Sequence, residues 1–479
     1  MAANGRQAER LVLYAPRMQT KSILARIIAP FVNRKPALQS LPKDSHGIAR
    51  DAIPPRVLGV IRRLREGGFE AFVVGGGVRD LLLKFAPKDF DVATNAHPEQ
   101  IRALFRNCRL IGRRFRLAHV FFGRDYIEVT TYRASAQDQD DADEDRMRVA
   151  EHGQLLRDNV YGSRLDDVLR RDFTVNALYF DPDAETVLDY VGGVADLRAR
   201  TLRTIGDPAE RFREDPVRML RAARFAAKLD FKVDAAALKV MPAHAELLHH
   251  VSPHRMLDET IKLFHGGAAL ASLHTLRRLD LFRFLFPQTD MVLKEPGARA
   301  EVFARLIERA LANTDARVRE GKAVIPPFLI ACFLWEPIRH AVASFVARGI
   351  APAEGFERAC HGVIHEQNRH VAVTKHVAGV VRDILWLQHR LEERRARTVR
   401  PTLHHERFRA GYDFLLMRAQ AGEPLAEIAG WWTRIQTLPL EDQNAMIHER
   451  HAAVPAPDKR KRRRRGRRRN AAVEPAVSP

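Results

Sequence analysis

The sequence has little cysteine: Cys108, Cys332 and Cys360 are the only three in 479 residues, far apart and with no CxxC pair. That excludes a disulfide scaffold and a cysteine zinc site. Read along the chain, no run approaches the roughly 20 uninterrupted apolar residues of a membrane helix. The most apolar N-terminal stretch, Ser22–Val32, is broken by Arg26 and followed by Arg34 and Lys35, a poor signal peptide. These absences point to a soluble chain in a reducing compartment, the cytoplasm, without a membrane partner. Acid is also in short supply, with Asp+Glu 59 against Lys+Arg 79, a net charge of +20. Ten of those positive charges, and no acid, lie in Lys459–Arg469 (KRKRRRRGRRR); without that segment the balance is 69 against 59, still +10. A basic body with a more basic tail implies a polyanionic partner, nucleic acid ahead of an anionic surface. Hydrophobic residues at 46% suffice for sizeable cores.

The composition changes along the chain. Residues 1–45 are basic and interrupted by Pro30, Pro36 and Pro42, and read as an N-terminal extension. Arg-rich, acid-poor starts also occur in organelle transit peptides. From Pro54 the apolar residues Val57, Leu58, Ile61 and Leu64 recur at helical spacing up to Gly67-Gly68. Ala71–Val74 reads as a strand, Gly75–Gly77 as a sharp turn and Val78–Leu83 as a helix. Further strands are expected at Asp89–Val92, Leu117–Phe122, Tyr126–Thr130, Thr174–Phe180 and Val187–Val191. Residues 46–204 therefore form a mixed α/β domain, interrupted at 136–150 by a solvated acidic loop (QDQDDADEDRMR). Beyond 205 only helical periodicity remains: a neck over 205–270, an all-α body over 271–450, and a disordered Arg-rich tail over 451–479.

Chemistry concentrates in a few places. Asp89 and Asp91, two apart on a strand, project from one face, and convergent carboxylates of this kind suit a divalent cation such as Mg²⁺. Glu128, with Ile127 and Val129 on either side, would complete a three-carboxylate cage for two metals if its strand lies beside the first. The glycines at 75–77, followed by Val78-Arg79-Asp80, let backbone N–H groups approach a phosphate. One helix joins that turn to the aspartates. Both features together suit phosphoryl or nucleotidyl transfer. Arg170-Arg171-Asp172 offers two cations for a triphosphate and a further carboxylate. Asp215 reads as an N-cap and Pro216 as a first helical residue. Along that helix Arg218, Arg221, Arg224 and Lys228 share one arc, so Asp215 and Arg218 could present an acceptor and a donor fork to a base edge. The alternatives are a tight turn, a surface ion-pair cluster and a solvated basic stripe.

Gly76-Gly77-Val78-Arg79-Asp80, Asp89-Phe90-Asp91, RRDFTVNA (Arg170–Ala177) and EDPVRMLRAARF (Glu214–Phe225), in this order, closely resemble the class II nucleotidyltransferases, the family of bacterial CCA-adding enzymes and poly(A) polymerases. The resemblance implies an α+β fold, a polymerase-β-like head followed by an all-α neck, body and tail. It implies a two-metal Mg²⁺ site on Asp89 and Asp91, nucleotide binding by Gly76, Gly77, Arg79, Asp80 and Arg171, and base selection by Asp215 and Arg218, with Arg221 beside them. Asp172 and Glu128 both stand as candidates for the third catalytic carboxylate. The stretch Leu110–Val120 (LIGRRFRLAHV) resembles one characteristic of the poly(A) polymerase branch. That branch implies template-independent addition of AMP from ATP to RNA 3′ ends, promoting RNA processing and decay. Arg462, Arg463, Arg464, Arg465, Arg467, Arg468 and Arg469 would add RNA affinity and a surface for RNA-decay proteins. The alternatives are a CCA-adding tRNA nucleotidyltransferase and a non-catalytic RNA-binding protein of the same fold; loss of an aspartate at 89 or 91 would have favoured the latter.

Overall fold

The structure is a computed structural model, and it describes residues 37–112, 116–134, 147–149, 155–158 and 160–452. The extension up to residue 36, most of the acidic loop, Arg113-Arg114-Phe115 and the arginines from Arg462 to Arg469 lie outside the described residues. Two compact units emerge. The first runs to Glu214 and includes 234–237; the second comprises 215–233 and the chain from Leu238.

The first unit is built on one eight-stranded sheet. Its elements are β1 (Gln39–Leu41), α1 (Pro55–Glu66), β2 (Ala71–Val74), α2 (Gly76–Leu82), β3 (Asp91–Thr94), α3 (Pro98–Leu104), β4 (Cys108–Ile111), β5 (Leu117–Phe122), β6 (Asp125–Thr131), α4 (Arg164–Leu169), β7 (Tyr179–Asp181), β8 (Thr186–Asp189) and α5 (Gly193–Arg198). The strand order is β1-β8-β7-β2-β3-β6-β5-β4. β1 lies within the stretch read as an extension and pairs antiparallel with β8, Gln39 opposite Asp189. The one parallel pairing among these strands, β3 with β6, sets Val92 beside Val129.

α1 forms where the spacing predicts it, with Pro55 in its first turn and Val57, Val60, Ile61 and Leu64 buried. It packs on β2 and β3, and α3 packs on β4 and β5, covering one sheet face. On the other face Phe72, Val74 and Ala93 join Tyr132, Val168 and Tyr179 in a core under α4. Two expectations are corrected. The ladder of β3 starts at Asp91, so Asp89 lies on the approach to the strand and is exposed. The strand expected over 174–180 is a 3₁₀ turn, Thr174–Asn176, ahead of β7. Polar anchors divert it: the Thr174 N–H donates to Arg203 O (3.0 Å) and its hydroxyl to Asp196 (2.7 Å). β8 ends because the buried Asp189 carboxylate accepts the N–H groups of Val191, Gly192, Gly193 and Val194. Residues 234–237 complete this unit: the Asp234 N–H donates to Leu202 O (3.0 Å), and its carboxylate accepts from Arg203 (2.7 Å).

The second unit is helical, as the periodicity predicts. It opens with α6 (Val217–Leu229) and continues through α7 (Pro253–Phe264), α8 (Ala298–Arg319), α9 (Pro326–Ala347), α10 (Pro352–Gln367), α11 (Lys375–Glu393), α12 (Phe408–Ala421) and α13 (Ala426–Ile435), with further helices between and after them. Among the described residues α9 is long and apolar enough to cross a membrane, which the reading of the sequence missed. Its residues from Leu329 to Ile338 are nevertheless buried in this unit, against α10 and α11. Trp431 and Trp432 belong to a core with Leu387, Leu391 and Leu415, and the Trp432 indole N–H donates to Leu391 O (2.8 Å).

Candidate active site

The site begins at the end of β2. Gly75 has φ 76° and ψ −131°, a conformation that favours glycine, and its N–H donates to Leu178 O (3.1 Å). A Cβ there would stand 3.5 Å from Arg171 Nη1, and one on Gly77 would stand 3.3 Å from Asp89 O. The glycine turn therefore packs directly against the two segments expected to accompany it. α2 starts at Gly76, two residues earlier than predicted, so Gly76, Gly77 and Val78 form its first turn, where N–H groups make no intrahelical bonds.

Arg79 is buried; it pairs with Asp80 (2.6 Å) and donates to Asn176 Oδ1 (2.6 Å). This pair is turned inward and braces the turn against the 174–176 segment. Asp172 belongs to the same scaffold, its Oδ1 accepting from the Phe173 N–H (2.8 Å) and from Asn176 Nδ2 (3.1 Å).

Arg171 is aimed by residues the sequence reading did not single out. Its Nε and Nη2 donate to Asp167 Oδ2 (3.1 and 2.8 Å), which also accepts from the Tyr179 hydroxyl (2.5 Å). Burial pushes the Asp167 carboxyl up, and Arg171 and Tyr179 more than offset this, holding it below the ordinary value. The i, i+4 spacing of Asp167 and Arg171 was the available signal. Arg211 closes the loop from behind, donating to the Arg170 and Arg171 carbonyls (2.5 and 2.7 Å).

The parallel register of β3 and β6 sets Asp91 beside Glu128, as the sequence reading required. Burial first, then the charges of Glu128 and Asp89, push the Asp91 carboxyl up to about 6, against the pull of Arg171. Glu128 also leans on His119, whose Nε2 is 3.6 Å from its Oε2. The three carboxylates are thus electrostatic neighbours. The expected cage is not formed, since among the described residues no three carboxylate, imidazole or thiol groups converge to hold a metal. The donor set still fits a hard divalent cation: oxygen ligands, mutually repelling and partly buried beside a cationic guanidinium.

Asp215, Arg218 and Arg221 belong to the second unit. α6 begins at Val217 with Pro216 as its cap, and Asp215 supports that start by accepting the Val217 N–H (3.2 Å). Its other oxygen accepts from Arg255, a partner absent from the sequence reading. The basic arc is graded: Arg218 is buried, Arg221 and Arg224 half-buried, Lys228 exposed. Arg224 pairs with Glu259 (2.5 Å) and lies over Phe225.

Comparison with known proteins adds to this geometry. Residues 71–203 match the Poly A polymerase head domain, 230–293 the probable RNA and SrmB-binding site of polymerase A, and 348–469 the polymerase A arginine-rich C-terminus. A relative named Poly(A) polymerase I, from Salmonella typhi, is 42% identical over 432 residues, covering 90% of this chain and 92% of its own. A CCA-adding enzyme of Bacillus licheniformis is 36% identical over 255 residues, covering 53% of this chain and 61% of its own. Among solved structures, a tRNA-processing enzyme with CTP covers 82% of this chain and 97% of its own at 20% identity with a TM-score of 0.54, a likeness of fold. The chain belongs to the poly(A) polymerase family of nucleotidyltransferases.

Proposed function

We propose that this chain is a polynucleotide adenylyltransferase that adds AMP from ATP to RNA 3′ ends without a template. One observation carries the reading: a glycine turn packed against Asp89 and Arg171, with the Arg171 charge acting on the Asp91 carboxyl. Arg171, kept charged and oriented by Asp167 and Tyr179, neutralises the triphosphate. Gly76 and Gly77 admit the phosphates close to the backbone, while Arg79 and Asp80 keep the turn in shape. Asp89 and Asp91 would hold Mg²⁺, which when bound polarises the α-phosphate and lowers the pKa of the attacking hydroxyl. For the third carboxylate the surroundings favour Glu128, beside Asp91, over Asp172, whose Oδ1 serves Asn176 and Phe173. Asp215 and Arg218, with Arg221 on the same helix, select the base, as the family resemblance implies. The arginines of 462–469 add sequence-independent RNA affinity and offer a surface to RNA-decay proteins in the cytoplasm.

The CCA-adding alternative shares this chemistry. Against it stand the extent of the poly(A) polymerase similarity, over 90% of the chain, and the arginine-rich C-terminal match. The test is extension of an unstructured RNA and of a tRNA lacking its 3′ end, with each nucleoside triphosphate supplied singly. Long tails with ATP alone are expected. Addition of cytidines from CTP to the tRNA would refute the reading. Asp89→Ala is expected to abolish extension while RNA binding persists; extension at the wild-type rate would remove the metal argument.

A further inference from the structure

The antiparallel registers of β4, β5 and β6 line up side chains on the face that carries Asp91 and Glu128. Arg109 pairs with His119, His119 with Glu128, and Phe121 with Tyr126. Ala118, Val120, Ile127 and Val129 alternate with them and are buried on the opposite face. His119 and Tyr126 are stacked, with ring centroids 4.1 Å apart and planes within 6°. Phe121 lies 5.8 Å from Tyr126, and the Arg109 guanidinium 5.2 Å over Phe121. Glu128, 3.6 Å from the His119 ring nitrogen, steadies that ring. Tyr126 is 52% exposed, with His119 stacked on one face of its ring.

We propose that His119, Phe121 and Tyr126 form a stacking platform for the last bases of a single-stranded RNA primer, with Arg109 placed for its backbone phosphates. Three features favour this occupant. Stacked aromatic faces beside an exposed arginine match the alternation of base and phosphate in a single strand. Because the platform continues the strand rows of Glu128 and Asp91, a base on Tyr126 is about two residues of strand, roughly 7 Å, from the Glu128 row, the reach of one nucleotide. The pairs Leu110–Ala118 and Ile111–Leu117 also set part of Leu110–Val120, the stretch that resembles the poly(A) polymerase branch, beside this platform, and His119 belongs to both. The inference rests on the proposed RNA 3′-end chemistry only for the identity of the strand.

The test is equilibrium binding of a short oligoadenylate to the full chain, alongside KM for ATP, in wild type, Tyr126→Ala and Tyr126→Phe. An exposed ring can be removed without opening the core. Tyr126→Ala is expected to weaken oligoadenylate binding about tenfold with KM for ATP unchanged, and Tyr126→Phe to bind as wild type does. Primers with an abasic ribose at each of the last few positions provide a second reading. At one position the wild type is expected to lose what Tyr126→Ala loses, with no further loss when both changes are combined. Unchanged oligoadenylate binding, additive losses at every position, or a rise in KM for ATP instead would overturn the platform. A wild type that binds oligoadenylate through Tyr126 yet extends no primer would sustain the platform and refute the adenylyltransferase reading.

Discussion

Asp91→Asn is expected to stabilise the protein while ending its activity. Burial and the neighbouring charges lift the Asp91 carboxyl from 3.8 to about 6. A carboxyl whose folded value exceeds its unfolded one favours the folded chain when protonated. Its stabilisation is complete below 3.8 and is lost as the pH rises through about 6, so in neutral solution the ionised group works against folding. At about 1.4 kcal/mol per pH unit, that rise corresponds to about 3 kcal/mol. Asparagine keeps the volume and removes the charge, and local relaxation lowers the expected gain to about 1–3 kcal/mol. Urea unfolding in EDTA measures it: the variant should exceed wild type at about pH 8 and match it below about pH 4. Added Mg²⁺ should then stabilise wild type and leave the variant unmoved. A variant no more stable than wild type at the higher pH, or with the same advantage at both, would refute the reasoning.

Two further outcomes are expected. Asp167→Asn leaves the half-buried Arg171 and the buried Tyr179 without their anion and should destabilise the chain by on the order of 3 kcal/mol; among molecules still folded, KM for ATP should rise more than kcat falls, and unchanged ATP affinity would remove Asp167 from its positioning role. Removing Lys459–Arg469, with its ten positive charges, should weaken RNA binding at low salt and flatten the dependence of log Kd on log salt, by about 0.7 for each phosphate that the tail no longer neutralises. An unaltered slope would mean that the tail does not touch RNA.

Spacing along the chain made the glycine turn, the strand that begins at Asp91 and the switch from mixed α/β to helix legible, because each depends on neighbours within a few residues. The partnership of Glu128 with Asp91 could be stated only as a condition, since it required β6 to lie parallel beside β3, a pairing across about 37 residues that periodicity does not encode. The strand expected over 174–180 failed for a related reason. Its apolar character is real, but Arg203 and Asp196, some twenty or more residues on, claim the Thr174 backbone and hydroxyl. Tyr179 and Arg255 were missed because an isolated phenol or arginine has no signature until the fold supplies its partner, whereas Asp167 left only its i, i+4 spacing from Arg171.

The path of the chain between the two units bears on how this protein can be dissected. Asp234, which accepts from Arg203 and donates its N–H to Leu202, comes after the chain has already left the first unit at Glu214. A fragment ending at Glu214 therefore forfeits a piece of its own architecture and leaves Arg203 without that carboxylate. Chimeras that exchange catalytic modules between relatives should join beyond Ala237, carrying the excursion of 215–233 along with the module it interrupts.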